Sequence, residues 1–316
     1  MKSFLQLIKV SIGNGIKSFV CSTDRKLKTG DILMKTGVID VGGGMRGIYG
    51  AGVFDYCLDN GIKFDYGIGI SAGSANLASY LSEQKGRNYL FYREYSTRKE
   101  YMGLGEFIHH HSFLNLDYIY GTLSNSDGEN PLDYEKMANN PMEWYVAGTN
   151  AITGEAHYFD KRDIKRDDYR ILKASSAIPV VCEPQLVHDI PYFDGALGNP
   201  VPVQKAVADG CDKIVLILTK PESLIQTPDN EKKLALMFKN KYPKAAHRLE
   251  LRAECYNEGV AFTQELAKDG KAIIIAPDDT CGVDTLTKSK SSLQRLYDKG
   301  YHDGEKISEF LSNAQN

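Results

Sequence analysis

Residues 36–82 read TGVIDVGGGMRGIYGAGVFDYCLDNGIKFDYGIGISAGSANLASYLS, and this stretch decides the fold. Thr36 to Val41 is a short, largely β-branched run ending in Gly42-Gly43-Gly44, the pattern of a buried strand entering a tight turn. Ile48 to Leu58 carries apolar residues at helical spacing, and Asn60-Gly61 gives the stop signal. A second short strand, Phe64 to Ile70, runs into Ser71-Ala72-Gly73, followed by a small-residue helix from Ser74 to Ser82. Strand, helix, strand, helix in so few residues is a βαβ unit, which joins parallel strands and lays helices on the faces of their sheet. The expected class is α/β, a three-layer α/β/α fold with a mainly parallel central sheet.

Further along, Tyr89 to Tyr101 reads as a helix, and Glu106 to Asn140, rich in Asn, Asp, His and Tyr, as a loop-rich cap. Tyr145 to Asn150 and Ala156 to Phe159 form a strand pair around Thr153-Gly154. Tyr169 to Ser176 is a short helix ended before Pro179, and Lys213 to Thr219 suits a central strand. Long helical patterns fill Glu231 to Ala267, then a strand (Ala272 to Ile275) and a closing helix around Leu293 to Leu311. No repeat or linker interrupts this order, so residues 34–316 are expected as one domain with a helical insertion before its last strand.

Residues 1–33 are read as an N-terminal extension, with Met34 a candidate internal start. Leu5, Ile8, Ile12, Ile16 and Phe19 recur at helical spacing with Lys2, Lys9 and Lys17 between them. The pattern is that of a weak amphipathic helix on a membrane surface, and Gly13 and Gly15 weaken it. A helix packed on the domain, or an extension without structure, accounts for it somewhat better. Lys9 and Ser11 interrupt a signal-peptide core.

The chain has 316 residues, 42% hydrophobic and 25% charged, with a formal net charge of -3. That balance gives no global argument for nucleic acid, and no apolar run reaches the roughly 20 residues that span a bilayer. Six scattered cysteines without a close pair speak against a zinc knuckle or a disulfide framework, and for reduced thiols in a cytoplasmic protein. His109-His110-His111 reads as a solvated loop, because adjacent residues seldom converge on one ion. Trp144, Tyr92, Tyr95 and Tyr101 read as core or interface residues.

Two glycine-rich turns each follow a strand and open a helix. Gly69-Ile70-Ser71-Ala72-Gly73 is the G-x-S-x-G nucleophile elbow. A serine on such a turn sits in a strained conformation, and the helix beyond aims its N–H groups at the reaction centre. The other turn, Gly42-Gly43-Gly44-Met45-Arg46-Gly47, exposes backbone N–H groups suited to an oxyanion hole. Gly42, Gly44 and Gly47 also satisfy G-x-G-x-x-G, the dinucleotide fingerprint, so a nucleotide-binding oxidoreductase is the sharpest rival. That fingerprint expects an acidic residue at the second strand end, where this chain has Ser71. For the base, none of the seven histidines stands in a position that marks it as catalytic. Asp194, in the small-residue turn before Asn199-Pro200, is a candidate, with an ordinary surface Asx turn an equal reading. Glu183 and His188 lie near it in sequence, and His188 would be the base of a histidine triad.

The chain from about Thr36 to Thr219 resembles the patatin-like phospholipase family, most closely its compact bacterial members. Four ordered blocks carry the resemblance: Asp40 to Gly47, Gly69 to Gly73, Ala174-Ser175-Ser176-Ala177-Ile178-Pro179, and Asp194-Gly195-Ala196 with Asn199-Pro200. Leu296 to Tyr301 resembles the tail of the same group less specifically. The resemblance implies a serine acyl hydrolase with a Ser-Asp dyad, in which Ser71 is the nucleophile and Asp194 its base. Amides of Gly43, Gly44 and Met45 would form the oxyanion hole, with Arg46 supporting the loop. Ala196 stands where many members have a second glycine. The implied substrate is a lipid or other fatty acyl ester, cleaved without metal or organic cofactor and with peripheral membrane contact. Acyl transfer to an acceptor other than water is a close variant, and a non-catalytic lipid-binding module a second rival.

Overall fold

The computed structural model describes residues 34–103 and 112–312, and their strands form one eight-stranded sheet. The strands are β1 (Thr36–Asp40), β2 (Tyr66–Ile70), β3 (Glu143–Asn150), β4 (Ala156–Phe159), β5 (Gln185–Val187), β6 (Ile190–Asp194), β7 (Lys213–Ile217) and β8 (Ala272–Ile275). Their order is β5-β6-β3-β2-β1-β7-β8, with β4 also paired to β3. The run β3-β2-β1-β7-β8 is parallel throughout, and β4, β5 and β6 add antiparallel pairs at one side.

The helices that matter for the site are α1 (Ile48–Asp59), α2 (Ala72–Leu81), α3 (Arg87–Arg93), α4 (Arg170–Ser175), α5 (Val203–Ala208), α6 (Asp229–Phe238), α7 (Pro243–Lys268), α8 (Lys290–Asp303) and α9 (Glu305–Ser312). Successive strand residues point to opposite faces, and the two cores follow that alternation. Val38, Val146, Val215 and Ile217 pack with α1, α2, α4 and α8 on one face. Ile39, Ile68, Ala147 and Leu216 pack with α5 and α7 on the other. The result is the three-layer α/β/α arrangement. Gly69 lets α2 seat on β2: a Cβ there would lie 2.5 Å from Ser74 Cα.

Most expected elements recur with shifted ends, and several differ. The helix expected over Tyr89 to Tyr101 is only α3 followed by a 3-10 turn at Tyr95–Thr97. The long C-terminal patterns are each two helices, broken before Pro243, whose ring suits a first helical turn, and at Gly304. The described part of the cap holds a π-helical turn at Tyr118–Thr122 and a helix at Tyr134–Asn139. The antiparallel hairpin β5–β6 was not expected.

The register places the functional turns together. Asp40 of β1 aligns with Gly69 of β2 and Ile217 of β7, so these strands end level at their carboxyl edge. Ile70 pairs with Ala147 of β3, and the next residue, Gly148, pairs with Asp194 of β6. Crevices at the carboxyl ends of parallel strands are where ligands bind in such sheets. Cys57, Cys182, Cys211, Cys255 and Cys281 are all unpaired thiols. Trp144 and the three tyrosines Tyr92, Tyr95 and Tyr101 are buried in the core as expected. The N-terminal extension, the expectation for His109 to His111 and the thiol of Cys21 fall outside the described residues. Among the described residues, no helix is long and apolar enough to cross a membrane.

Candidate active site

Ser71 occupies the single residue between β2 and α2, with φ 54° and ψ -129°. A non-glycine residue held in such a sparsely populated region costs about 1–3 kcal/mol, which the surroundings must offset. They do so by hydrogen bonding. The Ser71 N–H donates to Ser175 Oγ of α4 at 2.8 Å. Its carbonyl accepts from the Ser74 N–H at 2.9 Å and from Ser74 Oγ at 2.6 Å. Ser71 is buried, 6% exposed.

The glycine turn lies against this elbow. Gly42, Gly43 and Gly44 have φ of 65°, 128° and 60°, three consecutive left-handed values. A Cβ on Gly42 would overlap the Ile70 carbonyl, and one on Gly43 would stand 2.6 Å from Thr219 Oγ1. Asp40 holds the turn from beneath: its Oδ1 accepts from the Gly42 N–H at 2.9 Å, and its Oδ2 from Asn76 Nδ2 at 2.8 Å. Asn76 also donates to the Gly47 carbonyl at 2.8 Å, and Thr219 Oγ1 donates to the Gly42 carbonyl. Burial pushes the Asp40 carboxyl up to about 6 against these two hydrogen bonds.

The amides of Gly43 and Gly44 have no acceptor among the described residues. The expected third donor is different. The Met45 N–H, expected as an oxyanion donor, donates to the Thr285 carbonyl at 3.1 Å and is not free. Arg46 follows on the same turn. Its Nη1 donates to Thr285 Oγ1 at 3.2 Å, while its buried Nε has no partner. Burial lowers its pKa, with Asp284 acting in the opposite direction.

Asp194 ends β6, 4% exposed. Its N–H donates to the Ala177 carbonyl at 2.9 Å, and its own carbonyl accepts from Thr149 Oγ1 at 2.8 Å. The carboxylate accepts from the Ala196 N–H at 2.9 Å and faces the same cavity as Ser71. Burial pushes its pKa up to about 6, opposed by the nearby Ser71 side chain, the Ala196 N–H and the charge of Arg252. Of the equal readings from sequence, a surface Asx turn is excluded by this burial.

Ser71 stands between two unlike cavities. One, of about 70 Å³, is apolar, with Ala75, Phe91, Tyr92, Met102, Leu116 and Ile119 among its walls. The other, of about 420 Å³, holds Asp194, Gly43, Arg46, Lys220, Glu231 and Arg252. The four described histidines, His157, His188, His247 and His302, line neither cavity. His188 is exposed and bonds Asp163 at 3.0 Å, and Glu183 is exposed with Lys241 3.8 Å away. Both are therefore removed from the candidate site. Among the described residues, no cluster of side chains is arranged to hold a metal ion.

Sequence reading missed several residues that build the site. Asp40 and Ser175 sat inside the quoted blocks without a role, and Thr219 closed the recognisable segment. Asn76, Thr149 and Thr285 carried no local signal.

A family model described as patatin-like phospholipase matches residues 41–207, more than half of the chain. A second, described as a domain of unknown function (DUF6363), matches residues 242–314. The Escherichia coli (strain K12) protein YjjU, described as uncharacterized, is 28% identical over 192 residues, 59% of this chain. The chain spans about half of that relative's length (52%). A solved structure, VipD from Legionella pneumophila, aligns with TM-score 0.42 at 13% identity, over 87% of this chain and 66% of that one.

Proposed function

The chain belongs to the patatin-like phospholipase family, a family of lipid hydrolases, and from that premise we propose that it cleaves carboxylic esters of fatty acids with Ser71 and Asp194. The observation that carries this reading is that Ser71, held on a strained elbow with φ 54°, shares one cavity with the free amides of Gly43 and Gly44 and with the buried Asp194 carboxylate, which burial raises to about 6. A free aspartate titrates near about 3.9 and is a weak base for a hydroxyl. Asp194 is a stronger base and still ionised at neutral pH.

Ser71 Oγ attacks the ester carbonyl, and its proton passes to Asp194. The carbonyl oxygen becomes an oxyanion, for which the free N–H groups of Gly43 and Gly44 are the donors. Collapse expels the alcohol, which takes the proton back from Asp194. Water, deprotonated by the same carboxylate, then attacks the acyl-serine and releases the acid, restoring the Ser71 hydroxyl. No histidine is needed in this sequence. Arg46 holds the loop through Thr285.

The apolar cavity takes the acyl chain. At about 70 Å³ it is smaller than the roughly 150 Å³ cavity that admits benzene, so a long chain enters only as its walls part. Contact with a lipid surface is supported by α6: Leu234 lines the polar cavity, and Leu236 and Met237 beside it are 62% and 68% exposed. Lys232, Lys233 and Lys239 flank them, a composition suited to an anionic bilayer.

The test is fluorophosphonate labelling with peptide mapping, combined with turnover of esters of graded chain length. Label on Ser71 and loss of turnover in Ser71→Ala are expected. Label elsewhere, or full activity in that variant, refutes the reading. Saturable binding of a nicotinamide dinucleotide would favour the rival reading of the glycine turn.

A further inference from the structure

The polar cavity beside Ser71 carries more positive charge than the hydrolysis of an ester requires. Three cationic side chains enter it, Arg46, Lys220 and Arg252. Among the described residues, one acid answers them there at hydrogen-bond distance: Glu231, which accepts from Arg252 Nη2 at 2.6 Å. Asp194, the remaining carboxylate of the cavity, accepts from the Ala196 N–H and is the base proposed for Ser71. Asp284 lies near Arg46 but caps the backbone of Leu286.

The donors are also unfulfilled. The Nε atoms of both Arg46 and Arg252 are buried without a hydrogen-bond partner. Among the described residues, the Lys220 ammonium group has no hydrogen-bond or ion-pair partner. Burial, followed by the charges of Arg46 and Arg252, lowers its pKa to about 8, with Glu231 opposing. A buried polar donor left without an acceptor is costly, and three neighbouring cations repel one another. A ligand bearing two negative charges, or one charge and several acceptor oxygens, relieves both costs at once. Guanidinium and ammonium groups converging in a partly desolvated cavity match a phosphoryl group in this way.

We propose that Arg46, Lys220 and Arg252 bind the phosphoryl group of the lipid whose acyl ester lies at Ser71. This selects phosphate-bearing lipids over neutral acylglycerols. The proposal rests on the hydrolase reading, and it assigns the two cavities to the two ends of one substrate. Lys220 and Arg252 both lie outside the segment matched by the phospholipase model, residues 41–207.

Lys220→Met tests it, because Lys220 has no protein partner to leave stranded. The measurement is kcat/KM on a lysophosphatidylglycerol and on the monoacylglycerol of the same chain. A lost charge-assisted hydrogen bond lowers the ratio of the two by about 10- to 100-fold, mainly through KM, and Lys220→Arg restores most of it. In the wild-type protein the ratio also declines as pH rises through about 8. A ratio within about twofold of wild type in Lys220→Met overturns the proposal. So does inorganic phosphate that inhibits neutral-ester turnover through Lys220 while the substrate ratio stays fixed, since the site would then take free phosphate.

If neither ester is turned over, the hydrolase reading fails separately. Calorimetric titration with hexadecylphosphocholine, which has no ester to cleave, then reads the site directly. Binding that weakens at least tenfold in Lys220→Met supports it. Equal or absent binding overturns it.

Discussion

Replacing Asp194 with asparagine is expected to make the protein inactive and more stable at once. The carboxyl is buried, and its pKa stands at about 6 against an unperturbed 3.8. At about 1.4 kcal/mol per pH unit, that rise corresponds to about 3 kcal/mol of folding stability. A folded-state pKa above the unfolded value favours the folded state most at low pH. The contribution is full below about pH 4 and is lost as pH climbs through about 6. Above that point the folded protein carries a buried anion that the unfolded chain would solvate. Asparagine is the neutral isostere: its Oδ1 keeps the Ala196 N–H and its Nδ2 can donate to Ser71 Oγ. At pH 8, urea unfolding should show a gain approaching about 3 kcal/mol, and thermal unfolding a rise of roughly 5–10 °C. At pH 4 the two proteins should be nearly equal. Turnover should fall by about 10²–10⁴-fold, the usual worth of a general base. A variant less stable at pH 8, or stabilised equally at both pH values, would refute the assignment of the raised pKa to a buried anion. Retained turnover would refute the dyad.

The same carboxylate sets the acid limb of the reaction: kcat/KM for a neutral ester should fall as pH drops below about 6, because protonated Asp194 cannot accept the Ser71 proton; a pH profile flat to pH 4.5 would exclude it. Gly43→Ala should lower kcat by about 10²–10³-fold while far-ultraviolet circular dichroism stays unchanged, because its φ of 128° and the 2.6 Å approach to Thr219 Oγ1 leave a Cβ no room without moving the free amide. The double variant Leu236→Ser, Met237→Ser should weaken co-sedimentation with anionic vesicles and leave hydrolysis of a soluble short-chain ester intact; undiminished sedimentation would remove α6 from the membrane contact.

The first half of the fold was legible because its signals are local. Each of the turns after β1 and β2 needs a conformation that only particular residues tolerate, so the glycines around Asp40 and Ser71 mark them at the level of sequence. The hairpin β5–β6 lacks such a mark. Its turn carries positive φ at both His188 and Asp189, 50° and 63°, the pattern of a type I′ turn that Asn-Gly would usually signal. His-Asp in those positions reads as ordinary polar surface. Gln185–Val187 is only three residues long, and Pro191 interrupts the strand that follows. The breaks within the C-terminal helical patterns, and within the one closing helix expected around Leu293 to Leu311, were hidden for a related reason. Periodicity continues across Gly304 and towards Pro243, and only packing decides where each helix ends.

The site divides along the same line, and the division has a chemical meaning. The turn of Asp194 reads equally well as polar surface and is singled out only by the family resemblance, whereas Ser71 and the free amides of Gly43 and Gly44 come from turns whose residues announce them. Met45 was included because its amide belongs to the same turn, and it drops out because Thr285, 240 positions downstream, takes that amide. Thr285 and Arg252 both lie in the segment that matches a second family, residues 242–314. That segment also supplies β8, which extends the parallel sheet beyond β7. It is therefore continuous with the hydrolase sheet, and it forms part of the wall facing Asp194. The groups proposed to carry out bond cleavage come from the first segment, and most of the charge proposed to choose the substrate comes from after it. Substitutions at Lys220 or Arg252 can then alter which lipid is accepted while Ser71, Asp194 and the glycine turn keep their geometry.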